Sequence, residues 1–397
     1  MTQITRIKQQ ELTRQLGRFP VVCITGPRQC GKTTLARMLI QQLDRSAIFL
    51  DMEDARNYNT MDSAPLFFDD HQDELIVIDE VQRRPELFPQ IRYSVDQHDR
   101  PGRFLLLGSA APELIRTSGE SLAGRIFYME LGPFSLPESG NLVSDQQLHF
   151  SGGFPRVLMS TDSAYRSDWL EQYIRTYIEK DLPLLGLSAS PVIIRRLWEM
   201  LAWQNGSLFN SSELGRSLGL NAHTVNRYIG YLENAYLVQR LQPWYLNIGK
   251  RVSKSPKIYI RDTGILHRLL QLNDFDQLLG HPALGSSWES FVISQIGYSL
   301  PAGMSLFFYR TLSGNEMDLV ICGGSKVLAT AEIKYSTRPS VSRGQTTAIA
   351  DLSSPVNFII TPGTDDYRIR EDITVTNTRN FLSTYLPRLQ ELRTENR

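Results

Sequence analysis

Between residues 20 and 135 the chain alternates short apolar, often β-branched runs with stretches of helical periodicity. PVVCITG, AIFLDME, LIVIDEV, RFLLLGSA and RIFYMELG carry their apolar residues at consecutive positions. That is the pattern of strands covered on both faces in a parallel sheet. Helical patterns between them predict an α/β layered domain. The N-terminal stretch MTQITRIKQQELTRQLGRF predicts an amphipathic helix and is too polar for a secretory leader. Pro133, Pro137, Gly140 and the polar stretch up to Ser151 predict a linker. SGGFPRVL then breaks the pattern, and residues 164–181 predict a helix. Trp169, Tyr173 and Tyr177 recur there at helical spacing and form a packing stripe. A helical segment at this place in the chain would suit a lid over a ligand of the α/β domain.

Residues 192–255 form a further unit. Helical patterns surround SSELGRSLGL and NAHTVNRYIGYLENAYLV, with Ser211 and Asn221 as expected N-caps and Gly219 at the tight turn. Helix, short turn, helix and then a strand from Leu237 to Tyr245 is the order of a winged helix-turn-helix. From Ser286 a helix (Trp288 to Tyr298) leads into three strand-like runs, LFFYRT, MDLVIC and VLATAEIKYS. A helical stretch and the strand NFIITPG follow. The expected division is 1–135, 136–190, 191–260 and 261–397.

Composition narrows the classes. Lys plus Arg and Asp plus Glu number 42 each, so any polyanion footprint must be local. Over residues 211–261 eight basic residues (Arg216, Arg227, Arg240, Lys250, Arg251, Lys254, Lys257, Arg261) face two acidic ones, Glu213 and Glu233. His223, Thr224, Asn226 and Arg227 fall on the second helix, where DNA readers place base contacts, and Lys250, Arg251 and Lys254 fall in the expected wing. DNA is therefore an expected partner. No apolar run reaches the ~20 residues that span a bilayer. Three scattered cysteines (Cys23, Cys30, Cys322) fit a reducing cytoplasm rather than a disulfide framework.

The strongest chemistry lies early. Gly26-Pro27-Arg28-Gln29-Cys30-Gly31-Lys32-Thr33 matches G-x-x-x-x-G-K-[ST], follows the strand VVCIT and opens the helix that begins with Thr33 and Thr34. Glycines let backbone N–H groups curl toward phosphates, and the helix N-terminus adds partial positive charge. Lys32 is expected to reach the β- and γ-phosphates of ATP and Thr33 to ligate Mg2+. LIVIDE buries four apolar residues and ends on two carboxylates. Asp79 is expected to hold the Mg2+ and Glu80 to orient and deprotonate the attacking water. Ser109 closes the strand RFLLLGS, where a polar residue could sense the γ-phosphate.

Nearly the whole chain resembles a widespread family of bacterial and archaeal AAA-type (AAA+) ATPases with a C-terminal domain of unknown function. GPRQCGKTTLA, LIVIDEVQRRPELF, FLLLGSA, SLAGRIFYMEL, GGFP, YIRTYIEKDL, KIYIRDTGIL, SSWESFV, EMDLVI and AEIKYS carry the resemblance. It implies a P-loop AAA+ core with a helical lid, ATP binding through residues 26–34 and 79–80, a winged helix-turn-helix, and a restriction-endonuclease-like domain. Arg156 after GGFP stands where an acidic residue is usual. In an AAA+ ring, Arg125 would face a neighbour's nucleotide and act as a finger, which makes a homo-oligomer an expectation.

Asp318, Glu332 and Lys334 form D…E-x-K, with Glu332 and Lys334 on one face of a strand and Glu289 on the preceding helix. The order resembles the PD-(D/E)xK nucleases, whose acidic pair binds magnesium. A nuclease-like fold kept for binding is the other reading. Asp262 in RDTGIL reads as a turn or helix cap. Two functions compete: an ATP-driven enzyme acting on DNA, and a nucleotide-controlled switch that binds a protein partner. A small-molecule kinase would leave the C-terminal half without a task.

Overall fold

The structure is a computed structural model that describes residues 4–111, 122–140, 142–245 and 253–395. By its contacts the chain falls into two units, Met1–Phe134 with Asn234–Tyr236, and Ser135–Glu233 with Leu237–Arg397.

In the first unit, β1 (Val21–Thr25), β2 (Ala47–Asp51), β3 (Leu75–Asp79), β4 (Phe104–Gly108) and β5 (Ile126–Glu130) form an all-parallel sheet in the order β2-β3-β4-β1-β5. Every residue of β1, β3 and β4 is buried, which explains their unbroken apolar runs. Leu12 and Leu16 of the N-terminal helix Gln9–Leu16 pack with Val22, Leu35, Leu39, Val77, Leu105 and Leu107 in one core. Because β4 lies between β1 and β3, the loops after all three strands emerge side by side at the carboxyl edge, where open α/β sheets place their ligands.

The second unit begins where a linker was expected. Ser135 instead forms a capping box with Glu138 over the short helix Leu136–Ser139, and Ser144 caps the helix Asp145–Ser151 through Gln147 N–H. These caps satisfy the first turn of each helix, so polar residues that read as loop become helical. The helix Ser163–Thr176 follows, with Trp169 stacked on Tyr173 at 5.0 Å and Tyr173 against Tyr177 at 5.1 Å. The helices Pro191–Trp203, Ser211–Leu218 and Ala222–Asn234 precede an antiparallel pair, β6 (Val238–Leu241) and β7 (Lys257–Ile260). Asn221 caps its helix at Thr224 N–H, but Asn210 rather than Ser211 caps the one before, accepting from Ser212 and Glu213. Gly219 takes φ 68° at the turn.

GGFP and RDTGIL, 109 residues apart in their key contact, meet inside this unit: Asp262 Oδ2 accepts from Gly153 N–H at 2.9 Å while Oδ1 caps Ile265. A Cβ on Gly152 would fall 2.1 Å from the Asp262 carboxylate, so that glycine is dictated by the approach. Burial pushes Asp262 up to about 6, against three backbone N–H donors. Nearby, Ser287 Oγ lies 2.6 Å from His267 Nε2 and 2.9 Å from His149 Nε2, and His267 Nδ1 lies 2.8 Å from the Phe150 carbonyl. A carbonyl only accepts, so Nδ1 carries the His267 proton and Nε2 accepts from Ser287; His149 must then donate its Nε2–H to Ser287. Burial holds both rings below the usual histidine range, His267 down to about 4, which favours the neutral forms this network needs.

The C-terminal part is a six-stranded mixed sheet. In chain order its strands are β8 (Met304–Arg310), β9 (Glu316–Gly323), β10 (Lys326–Ile333), β11 (Asn357–Thr361), β12 (Tyr367–Arg370) and β13 (Ile373–Asn377). Their spatial order is β12-β13-β11-β10-β9-β8. The helix Arg343–Leu352 crosses from β10 to its parallel partner β11.

Candidate functional site

The loop after β1 wraps as its sequence requires. Gly26 and Gly31 adopt φ 153° and 103°, and Gln29 sits in the left-handed region at φ 62°. A Cβ on Gly26 would come 2.1 Å from the Leu131 carbonyl, so the loop can lie this close to the end of β5 only with glycine. Arg6, from the N-terminal segment, clamps the back of the loop: its guanidinium donates to Cys30 O at 2.8 Å and Gly132 O at 2.7 Å. Cys30 is buried, its thiol on the Leu131 carbonyl at 3.2 Å, so it serves packing within the motif. Gly26 and Pro27 are buried, Arg28 is half-buried, and Gln29 and Thr34 are exposed. Lys32 opens the helix Lys32–Ile40 and donates to Gly26 O and Pro27 O at 2.9 Å each. Its ammonium is thus held inside the loop that surrounds the expected phosphate position.

Across the sheet edge, Thr33 Oγ1 donates to Asp79 Oδ2 at 2.7 Å. Burial pushes Asp79 up, against this hydroxyl bond and the Glu80 N–H at 2.9 Å. A hydroxyl and a buried carboxylate in contact are hard oxygen donors of the kind Mg2+ takes, and a cation there would offset the desolvation of Asp79. This donor set fits a magnesium ion.

Glu80 follows with φ 53° and ψ 43°, a left-handed conformation unusual for a residue with a side chain. The turn sends its carboxylate back toward the end of β4, where Ser109 Oγ donates to Oε2 at 3.0 Å. Gln82 completes the frame. Its amide donates to the Glu80 carboxylate and to Ser109 Oγ at 2.7 Å, and its carbonyl accepts from Ser109 N–H at 3.3 Å. Arg28 lies 3.8 Å from Glu80 and 3.3 Å from Glu53. Arg6 and Gln82 were missed by the motif reading; only Gln82, two residues past the acidic pair, had a positional signal. Tyr236 had none. Its hydroxyl donates to Thr25 Oγ1 at 2.7 Å, at the end of β1 and one residue before the phosphate loop. Arg125 is half-exposed and paired with Asp96 of the same chain.

In the second unit the structure brings Glu289 and Asp318 together around a residue the motif does not contain. Lys257 Nζ lies 2.9 Å from Glu289, 2.8 Å from Glu316 and 3.5 Å from Asp318. Lys257 and Tyr259 share one face of β7, and both reach Glu289, Tyr259 through its hydroxyl. Glu316 and Asp318 share a face of β9, the period-2 signal that could have found Glu316. Glu332 and Lys334 lie 3.8 Å apart, and Lys334 turns its ammonium to the Ser340 carbonyl at 2.6 Å. Burial and then Asp318 push Glu289 up to about 7 and Glu332 up to about 8. Lys257 is raised: burial opposes its charge, but Glu289, Asp318 and Glu316 outweigh it.

His223, Asn226 and Arg227 are exposed on the helix Ala222–Asn234, and Thr224 is half-buried. Lys254 is exposed; Lys250 and Arg251 lie outside the described residues. The fold reduces the basic surplus of this region. Lys257 is buried among carboxylates, and Arg240 donates to Glu233 at 2.8 Å.

An AAA domain family matches residues 18–139. Two domains of unknown function, DUF8612 and DUF4143, match residues 145–276 and 284–381. The uncharacterized proteins Rv2008c of Mycobacterium tuberculosis and Mb2031c of Mycobacterium bovis are each 39% identical to this chain over 373 residues, covering 94% of it and 83% of the relative. Among solved structures, a Walker-type ATPase of Pyrococcus abyssi aligns over 68% of this chain and 96% of its own, at 16% identity and TM-score 0.47. A signal transduction ATPase with numerous domains from Pyrococcus horikoshii aligns over 75% of this chain and 48% of its own, at 13% identity and TM-score 0.31. With its phosphate loop and acidic pair inside the matched AAA domain, the chain belongs to the same family as the two mycobacterial proteins, a family of AAA-type P-loop ATPases.

Proposed function

We propose that the protein binds ATP with Mg2+ at residues 26–34 and 79–80, hydrolyses it, and uses the cycle to control DNA contacts made by its second unit. The observation that carries the reading is the Thr33–Asp79 contact at 2.7 Å, with Glu80 framed beside it by Ser109 and Gln82. Thr33 and Asp79 would hold the metal, which when bound offsets phosphate charge. Lys32 leaves the Gly26 and Pro27 carbonyls for phosphate oxygens, and Glu80 takes the proton of the attacking water. Residues 136–190 act in this reading as a helical lid, 191–260 as a winged helix-turn-helix and 261–397 as the nuclease-like domain. The exposed residues His223, Asn226 and Arg227 on one helix supply the DNA-facing surface. Arg125 would serve a neighbouring copy only after leaving Asp96.

A second reading, a nucleotide-dependent switch for a protein partner, is favoured by one observation: the acidic cluster of the nuclease-like domain already holds a lysine. ATP turnover with Glu80→Gln, measured with and without duplex DNA across a salt series, tests both. The variant should bind ATP and not turn it over, and hydrolysis equal to wild type refutes the base assignment. DNA affinity indifferent to nucleotide state moves the reading to the switch.

A further inference from the structure

We propose that Lys257 is a built-in cation of the acidic cluster of Glu289, Glu316 and Asp318, so that Asp318 is closed to the divalent metal that the nuclease resemblance would place between it and Glu332. The carboxylates around Lys257 are largely engaged. Glu289 Oε1 receives Lys257 and Tyr259, Glu316 Oε1 receives Lys257 and Oε2 receives Arg310 at 3.2 Å, Asp318 Oδ1 faces Lys257, and Asp318 Oδ2 accepts from Ile333 N–H at 2.9 Å. Five of the six oxygens on these three side chains therefore already face a donor or a cation. The Lys257 side chain is 4% exposed, and its three N–H donors match the three carboxylates around it. A divalent ion would have to displace a buried ammonium, leaving that charge unpaired in the interior at a large cost. Among the described residues no three His, Cys, Asp or Glu side chains form a metal-holding group. Lys334, the lysine of the E-x-K pattern, donates to the Ser340 carbonyl at 2.6 Å and lies 3.8 Å from Glu332, away from Asp318. What the domain keeps is a lysine-centred carboxylate knot that ties β7, the helix Leu284–Ser299 and β9 together.

The inference rests on the nuclease resemblance for the position of the site and not on ATP turnover, so its failure would leave the nucleotide reading intact. The test is Mn2+ binding to the full chain without nucleotide, followed by the electron paramagnetic resonance of free Mn2+, in an Asp79→Asn background that removes the phosphate-loop contribution. With Lys257 present, adding Asp318→Asn should leave the Mn2+ isotherm unchanged. Lys257→Met should open one site at least about tenfold tighter, which Asp318→Asn then removes. The proposal is overturned if the Lys257 chain binds Mn2+ through a site that Asp318→Asn abolishes, or if folded Lys257→Met binds none. Should Lys257→Met fail to fold, the pair that retains Lys257 still decides: coincident isotherms support the proposal and divergent ones sink it.

Discussion

Glu80 offers a direct test of the link between backbone strain and catalysis. It is held at φ 53°, ψ 43°, where an L-residue with a Cβ costs roughly 1–2 kcal/mol relative to its ordinary conformations. The structure shows what that cost accomplishes: the left-handed turn returns the carboxylate to Ser109 at the end of the neighbouring strand β4 and to Gln82 on the turn that follows β3. Glu80→Ala and Glu80→Gly both delete the carboxylate and differ only by the Cβ. Glycine relieves the strain but gives the unfolded chain more freedom, worth about 0.4–1 kcal/mol. The glycine variant should therefore be the more stable of the two by about 0.5–1 kcal/mol. Local stability is read from amide hydrogen exchange of the peptide covering β3 and its following turn, where this difference slows exchange roughly two- to fivefold. Both variants should lose about 10²–10⁴ in ATP turnover. A glycine variant that exchanges as fast as the alanine one would refute the strain argument, and an alanine variant with wild-type turnover would refute the catalytic one.

Two further outcomes are expected. Lys32→Ala should weaken ATP binding roughly 10–100-fold in a calorimetric titration, the worth of a charged hydrogen bond to phosphate, and unchanged affinity would contradict its place in the loop. His267 titrates near 6.5 when unfolded and near 4 when folded, so the stability it supports is complete above pH 6.5 and is lost as pH falls through 4, a loss of up to about 3 kcal/mol. The difference between wild type and His267→Gln in how urea stability changes from pH 7 to pH 4.5 isolates that loss from the opposite contributions of Asp262, Glu289 and Glu332, and a nuclear magnetic resonance titration placing the His267 midpoint near 6.5 would refute the neutral-ring assignment.

The legible parts of this chain were those whose physics is local. A phosphate loop needs glycines, a lysine and a hydroxyl within eight residues between a strand and a helix, and residues 26–33 contain all of them. Runs such as LIVID and FLLLG declare buried parallel strands because both faces must be apolar. The edge strand Tyr367–Arg370 and its neighbour Ile373–Asn377 went unread, because YRIR and ITVTN alternate apolar and polar residues over only four or five positions and lack the unbroken apolar run that marked the other strands. The helices around Gly140 were hidden for a similar reason: capping, rather than periodicity, makes them.

By itself, then, the amino-acid order determined the glycine-rich loop, the acidic pair and the parallel sheet that presents them, since each depends on neighbours a few residues away. Only the tertiary structure decided what surrounds them. Arg6 reaches the loop from 24 residues upstream of Cys30, and Ser109 meets Glu80 because β4 is inserted between β1 and β3. Lys257 counted in one dimension as part of a basic surface; in three dimensions it is a buried counter-ion 32 and 61 residues from the Glu289 and Asp318 carboxylates it faces. Charge is written in the sequence, but whether a charge faces water or a carboxylate depends on which distant strands and helices pack against it.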